Sequence, residues 1–424
     1  MNHIAIIGGG AAGLMCAATL VQSQIPVRIT LYEKNKHLWV KVIISGWGRC
    51  NVTTAYHRKQ DLQPKYIRGR DLISHAISKF GPRQIMKRFQ SQGVALKTEV
   101  DMRVFPVSDD GHDIVRVFEL LFESYPNLEI KYQTVLTDVT PRDDGRFDLS
   151  VAGEVSDQAD KVVIATGGNA YRQTGSTGDG YYFAQSCGHT MTALGPSLNS
   201  FHIAQTWLTT CSGISLTHAR CHRTIDWKKL HADWPLLLTH FGISGPLTFV
   251  VSAHLAFETI DETHPIDIRL QCFADRDIHR RQRDLQQSCI DFPLRHLKTY
   301  LWQYLSDRLV IALCQAYQID VDMSLALLSK WKKQILTDIL GHGIHLSLLA
   351  RRAGDEFVTA GGVPASQIDP ETLESIFCPG LYFAGEVMDV DGVTGGYNLT
   401  ASRASARLVG TSIVKQYWFN SSLW

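Results

Sequence analysis

"HIAIIGGGAAGLMCAATL", from His3 to Leu20, is the stretch that decides the fold. A short β-branched apolar run, Ile4–Ile7, gives way to glycines and then to an alanine-rich segment without proline. That order predicts a strand, a tight turn and a helix. Gly8, Gly10 and Gly13 satisfy G-x-G-x-x-G. The first glycine permits the turn, the second lets a pyrophosphate approach the backbone, and the third lets the helix pack close to the strand. Ala11 and Ala12 open the helix, whose unpaired N–H groups and positive dipole end then face the phosphates. A second strand, "VRITLYEKN", ends at Glu33 and Lys34, with Glu33 twenty residues beyond Gly13. An acidic side chain at that distance accepts hydrogen bonds from a ribose. Taken alone, the glycines could be a turn in another α/β protein; with Glu33 in place they read as dinucleotide binding.

Two later stretches choose between NAD and FAD. "ADKVVIATGG" is an apolar strand followed by Thr166, Gly167 and Gly168. "PGLYFAGEVMDVDGVTGGYNLTASRASA" is a strand ending at Gly385 and Glu386, with Asp389 close behind, then a Gly-Gly turn at Gly396 opening a small-residue helix at Tyr397 and Asn398. A second strand–Gly–acid unit and a late helix aimed at the same crevice suit the longer cofactor, FAD. The helix dipole at Tyr397 and Asn398 would stabilise negative charge at the flavin's pyrimidine end.

The 424 residues allow two to three domains. With 45% hydrophobic and 20% charged residues, the composition is that of a soluble globular protein. Forty-two basic against forty-one acidic residues exclude a globally basic nucleic-acid binder but not local patches. Nine cysteines without a CxxC pair or zinc-type spacing fit a reducing compartment and no metal site. The apolar start lacks a basic leader and is broken by glycines, and no run is long enough for a membrane span. These features predict a cytoplasmic protein with no membrane contact.

Together, "GGGAAGLMCA", "ISGWGRCNVTT", "ATGGNAYRQTGSTGDGY" and "GLYFAGEVMDVDGVTGGYNLTASRASA", with "LLLTHFGISGP" and "VTAGGV", resemble the YhiN/BaiN-like family of NAD(P)/FAD-dependent flavoproteins. The resemblance implies a Rossmann-like α/β FAD-binding domain of glutathione-reductase type, made discontinuous by an inserted β-barrel-like domain and a small helical domain. It implies that Lys41 and the loop residues Ser45, Gly46, Gly48, Arg49, Cys50 and Asn51 wrap the cofactor, and that Val135 lies where the backbone meets adenine. Small residues and backbone amides there would permit close approach to phosphate and flavin. This chain departs from the pattern with Trp47 in place of glycine, with Trp39-Val40 before Lys41, and without a proline near Arg172.

The corresponding boundaries are 1–196 and 351–424 for the FAD domain, 197–274 and 342–350 for the barrel-like insert, which is the candidate substrate domain, and 275–341 for the helices. Cys50 beside Arg49 could be a reactive thiol, but a packed small residue is the commoner role. His240, after an apolar strand and before a glycine turn, is the candidate proton donor or acceptor facing substrate; a structural histidine weighs equally. Tyr397 is the second catalytic candidate. Arg103 could bind an anionic substrate group or sit in a surface ion pair.

These residues predict an FAD-dependent oxidoreductase, with NAD(P)H as a transient donor lacking a Rossmann fold of its own. A small molecule is the substrate, by C=C reduction or amine oxidation. A second reading is reduction of uridine in rRNA, supported locally by the basic-aromatic stretches "THARCHRTIDWKKLHADW", "RDIHRRQR" and "SKWKKQ". A third is a flavin-binding sensor without turnover.

Overall fold

The computed structural model describes residues 2–225, 228–273 and 278–421. The chain divides into two compact units, Met1–Pro196 with Phe357–Trp424, and Ser197–Glu356.

In the first unit, β1 (His3–Ile7) is the middle strand of a five-stranded parallel sheet. It pairs on one side with β2 (Arg28–Tyr32), beyond which lies Leu128–Lys131. On the other side it pairs with Lys161–Ile164, beyond which lies Leu381–Phe383. All five residues of β1 are buried, as a parallel strand covered on both faces requires. The chain leaves β1 towards β2 and later crosses back to its other edge. The crevice of this doubly wound sheet therefore opens at the carboxyl ends of β1 and Lys161–Ile164.

Helix α1 (Ala11–Ser23) follows at once and is buried from Ala12 to Val21. The Tyr397–Ser421 helix packs beside it. Near the start of α1, Ala12 faces Gly385, whose N–H donates to Ser405 Oγ at 3.0 Å. One or two turns on, Arg407 donates to Thr19 Oγ1 at 3.3 Å, and a Cβ at Gly410 would stand 2.7 Å from Thr19 Cβ. The contacts advance in the same direction on both helices, so the two run parallel and their N-terminal ends lie on one side.

The stretch "SHAISKFGPRQIMKRFQSQG" falls on two helices, Arg70–Lys79 and Pro82–Ser91, interrupted at Gly81. Around the Asp143-Asp144-Gly145 turn lies an antiparallel sheet of Leu136–Pro141, Phe147–Val151 and Glu154–Ala159.

The second unit holds a closed barrel of six strands, each antiparallel to its neighbours. Around the barrel the order is Phe201–Ile203, Gly242–Ser244, Lys228–Leu238, Ser215–Ile225, Ile266–Gln271 and Ile344–Arg351. Helices Ile278–Asp291, Leu297–Leu301, Asp307–Ala316 and Lys330–His342 lie between its last two strands in sequence. The buried Arg281 donates to Leu340 O at 2.8 Å and ties the first of these helices to the last. Parts of the basic stretches at 217–234 and 276–283, namely 226–227 and 276–277, lie outside the described residues. Among the described residues no helix is long and apolar enough to cross a membrane.

The contact between the two long helices makes a direct prediction. Gly410→Val has no room for its side chain against Thr19, and overpacking of this kind costs about 1–3 kcal/mol. The urea midpoint of the variant is expected to fall with an unchanged m-value.

Candidate functional site

The crevice is built around the first glycine turn. Gly8 has φ +105°, and a Cβ there would stand 2.6 Å from Ala165 O. Its N–H donates to Tyr32 O at 2.9 Å, locking the turn to the end of β2. A Cβ at Gly13 would overlap Gly8 O, so only glycine lets α1 begin this close to β1. Gly10 is different: a Cβ there would meet nothing within 4 Å. No side chain caps the α1 N-terminus at Gly10, which leaves that end of the helix with its partial positive charge.

The buried Glu33 carboxylate accepts from Gly9 N–H and Asn35 N–H, both at 2.8 Å, and so fixes the turn from the second strand. These two bonds leave acceptor capacity on a carboxylate. Thr134 N–H donates to Glu33 O at 3.0 Å, which places the half-exposed Val135 one residue further along. Lys34 is engaged by Asp179 at 2.5 Å and by the Thr177 hydroxyl.

A second group forms where Thr166–Asn169 meets Thr359 and Glu386. Thr359 Oγ1 accepts from Asn169 N–H at 2.7 Å, and Thr359 N–H donates to Glu386 Oε1 at 2.8 Å. Lys41 donates to Glu386 Oε2 at 2.9 Å. A Cβ at Gly168 would lie 2.7 Å from Glu386 Oε1, and Gly167 turns the chain at φ +75°. Three buried polar atoms in this region, Asn169 Oδ1, Tyr181 Oη and Asp389 Oδ1, have no hydrogen-bond partner. Burial raises the Asp389 pKa above the usual carboxylate value, against the opposing pull of Arg68 and of bonds from Thr192 and Gly361.

The loop from Lys41 to Asn51 crosses between this group and the start of the Tyr397 helix. Asn51 accepts from Gly396 N–H and donates to Thr53 O, 3.0 Å each, in the amide orientation that satisfies both. Gly46, Trp47 and Gly48 are three consecutive left-handed residues, at φ +62°, +64° and +88°, and the Trp47 indole is 88% exposed. Ser45 Oγ donates back to Val42 O at 2.7 Å. Arg49 pairs with Glu99 at 2.5 Å and covers the Phe105 ring at 4.0 Å. Arg103 is likewise taken up by Asp101 at 2.7 Å and Glu99 at 3.1 Å, the surface ion pair of the two readings.

Cys50 is wholly buried, with its Sγ 4.0 Å from the buried Arg403 guanidinium, which also donates to Val52 O. Burial raises the thiol pKa, and Arg403 only partly offsets this. This is the packed small residue. The loop is held by Arg403, a residue that sequence reading passed over because arginine in a helix reads as surface.

Tyr397 is 1% exposed, its ring edge-on to Tyr66 at 6.3 Å, with Tyr66 Oη donating to Tyr397 O at 2.9 Å. Burial raises the pKa of its phenol. Asn398 folds the chain back over the helix start, accepting from Gly392 N–H and donating to Gly392 O, both at 2.8 Å. The neighbouring Asp391 is fully buried and bound by two nitrogens of Arg68. His240 belongs to the second unit, exposed in the turn between Lys228–Leu238 and Gly242–Ser244, edge-on to Phe241 at 5.2 Å. Arg68 lies outside every motif quoted for the resemblance, and Thr359, Asn169 and Tyr181 lie within those motifs but carry no signal that singles them out.

A parallel sheet with an open glycine turn, an acid at the end of β2 and a second Gly–acid turn beside them defines a Rossmann-type α/β protein. The family model described as HI0933-like protein Rossmann domain matches residues 2–412, and this chain belongs to that family. A 3-dehydro-bile acid delta(4,6)-reductase of Clostridium scindens is 26% identical over 98% of this chain and 100% of its own length. A ribosomal RNA dihydrouridine synthase of Haemophilus influenzae is 29% identical over 97% of this chain and 98% of its own, and one of Escherichia coli is 28% identical over 95% of each. Among solved structures, Mycobacterium smegmatis Sdh1 in the apo form matches with a TM-score of 0.50 at 14% identity, over 99% of this chain and 69% of that one, a likeness of fold alone.

The buried thiol gives a test. Because burial favours the neutral form of Cys50, its thiolate fraction at neutral pH lies below that of an exposed cysteine, and only the thiolate alkylates. Peptide mapping after iodoacetamide treatment of native protein is expected to leave Cys50 unlabelled through pH 8, and to label it fully in urea.

Proposed function

We propose that this chain is an FAD-dependent oxidoreductase that reduces a carbon–carbon double bond conjugated to a carbonyl, using NAD(P)H as donor. The observation that carries the proposal is the open Gly10 position at an uncapped helix N-terminus, in one crevice with Glu33 and the Glu386 group.

The residues present suit the cofactor. Backbone N–H groups at Gly10, Ala11 and Ala12 would take the pyrophosphate, where dipole and geometry favour an anion. Glu33 would accept from the adenosine ribose with its remaining lone pairs, and the backbone near Val135 would border adenine. The unpartnered atoms of Asn169, Tyr181 and Asp389, with Glu386 and Lys41, would meet the polar middle of the molecule. The Gly396–Asn398 helix start would face the far end. Bound there, FAD would supply hydride transfer between NAD(P)H and substrate.

The chain's own contribution is orientation and charge. The Asn51–Gly396 and Lys41–Glu386 contacts hold the loop across the crevice. Tyr397, buried against Tyr66, supports the helix start, and we do not assign it proton transfer. His240 lies in the second unit and is given no role in this reading. A single glycine fingerprint leaves NAD(P)H to bind transiently.

The names of the full-length relatives converge on this chemistry: one reduces delta(4,6) bonds, and dihydrouridine is uridine with a saturated ring double bond. A free unsaturated carbonyl compound is the first reading of the acceptor. A uracil ring in RNA is the second, favoured by the two synthases of 28% and 29% identity.

Anaerobic NADH or NADPH is expected to bleach the visible flavin absorbance, and an enone or an rRNA fragment to restore it. Protein that takes up no FAD, or FAD that neither donor reduces, sinks the proposal. Gly10→Val is expected to melt with the wild-type apoprotein, since its side chain has space, and yet to bind no FAD.

A further inference from the structure

The helical segment of the second unit carries a cleft that the flavin chemistry does not use. Its lining is Trp331, Gln334, Ile335, Asp338 and Ile339 from one helix, faced by Tyr317 and Arg269. The five helix positions follow i, i+3, i+4, i+7, i+8 spacing, so they form a single face. That face would ordinarily be packed, yet Trp331 is 62% exposed.

The polar groups of the cleft are ordered. Arg269 donates to Asp338 at 3.0 Å and to Gly343 O at 3.3 Å, and His342 Nδ1 donates to Asp338 Oδ1 at 2.8 Å. Burial opposes ionisation of Asp338, but His342 and Arg269 together hold its pKa below the usual carboxylate value. The carboxylate is thus already compensated. Lys330 and Lys332, one residue either side of Trp331, point to the two flanks of the apolar face by helical geometry. Among the described residues neither takes part in a salt bridge.

We infer that this cleft binds single-stranded RNA, with one base stacked on Trp331 beside Tyr317 and the adjoining phosphates on Lys330 and Lys332. An exposed indole bordered by uncompensated cations is the arrangement that strand binding needs: a π-face for the base and point charges for the backbone. Arg269, Gln334 and Asp338 supply donors and acceptors at the edge of the stacked ring. A purely apolar partner would leave both lysines unused, and an acidic peptide would leave the indole without a planar counterpart. The inference goes beyond the reduction chemistry. If upheld it selects uracil in RNA as the acceptor, and if it fails the reductase reading stands.

The test is fluorescence anisotropy of a labelled ten-nucleotide oligo(U) with the full-length, FAD-loaded protein over a range of salt. Trp331→Ala is expected to weaken binding about tenfold. The pair Lys330→Ala with Lys332→Ala is expected to flatten the slope of log affinity against log salt by roughly one unit. Trp302→Ala, a half-exposed indole already donating to Asp307 at 2.9 Å, should change neither. Matching FAD content, melting temperature and NAD(P)H oxidation in all variants show that each is folded. The inference is overturned if oligo(U) does not bind at low salt or if the Trp331 and lysine variants bind like wild type. It is also overturned if AMP competes as well as the oligonucleotide, which makes the cleft a mononucleotide site, or if heparin binding falls equally in Trp331→Ala, which removes base stacking.

Discussion

The structure depends on the close approach of α1 to the Tyr397–Ser421 helix. These segments stand almost four hundred residues apart, and closing so long a loop costs entropy that local contacts cannot recover. What recovers it is apolar burial along a seam of small residues. Ala12 meets Gly385, Ser405 accepts from the Gly385 N–H, and Thr19 lies against Gly410. Larger side chains at these positions would separate the helices and, with them, the two turns at their N-terminal ends. The insert can leave after Pro196 and the chain return at Phe357 because this seam joins the two halves of the first unit independently of what lies between.

That constraint explains the division of labour among the glycines. Gly8 and Gly13 are required by the fold: one has a positive φ against the Ala165 backbone, the other touches the Gly8 carbonyl. Gly10 is required by neither conformation nor packing. On the proposed reading, that open position beside an uncapped helix end would be the cradle for a group that comes close to the backbone.

Much of this was legible in the sequence, and the limits have physical causes. The sheet, α1 and the Glu33 position rest on local periodicity and on spacing within one β–α–β unit, which a linear reading captures, whereas the barrel was an expectation of the family resemblance. Pairings between distant segments do not appear that way. Lys34 and Lys41 were expected at the cofactor, and the structure pairs them with carboxylates 145 and 345 residues away. Cys50 beside Arg49 read as a thiol near a cation. The cation that reaches it is Arg403, and both are buried. Tyr397 read as a side chain facing the flavin, but its phenol is packed under the helix start against Tyr66. The engagement of Arg103 by Asp101 and Glu99 depends on side-chain directions in the turn before its strand.

The same pairings settle how an anion would be held in the first unit. Lys34, Lys41, Arg49 and Arg68 all border the crevice in sequence, and all are matched by Asp179, Glu386, Glu99 and Asp391. Cations neutralised this way add little net field. Removing one partner would also leave the other charge half-buried and uncompensated, which is costly. On the proposed reading, attraction for a pyrophosphate would then come chiefly from the backbone N–H groups of the open turn and the aligned dipole behind them. Such donors cannot swing away and need no rearrangement on binding. A site built on them is selective for a ligand whose phosphates sit in one place, whereas a cluster of loose lysines would take any polyanion. Lys330 and Lys332, either side of the exposed Trp331 indole and in no salt bridge among the described residues, carry the looser kind of charge that the proposed binding of an extended strand would use.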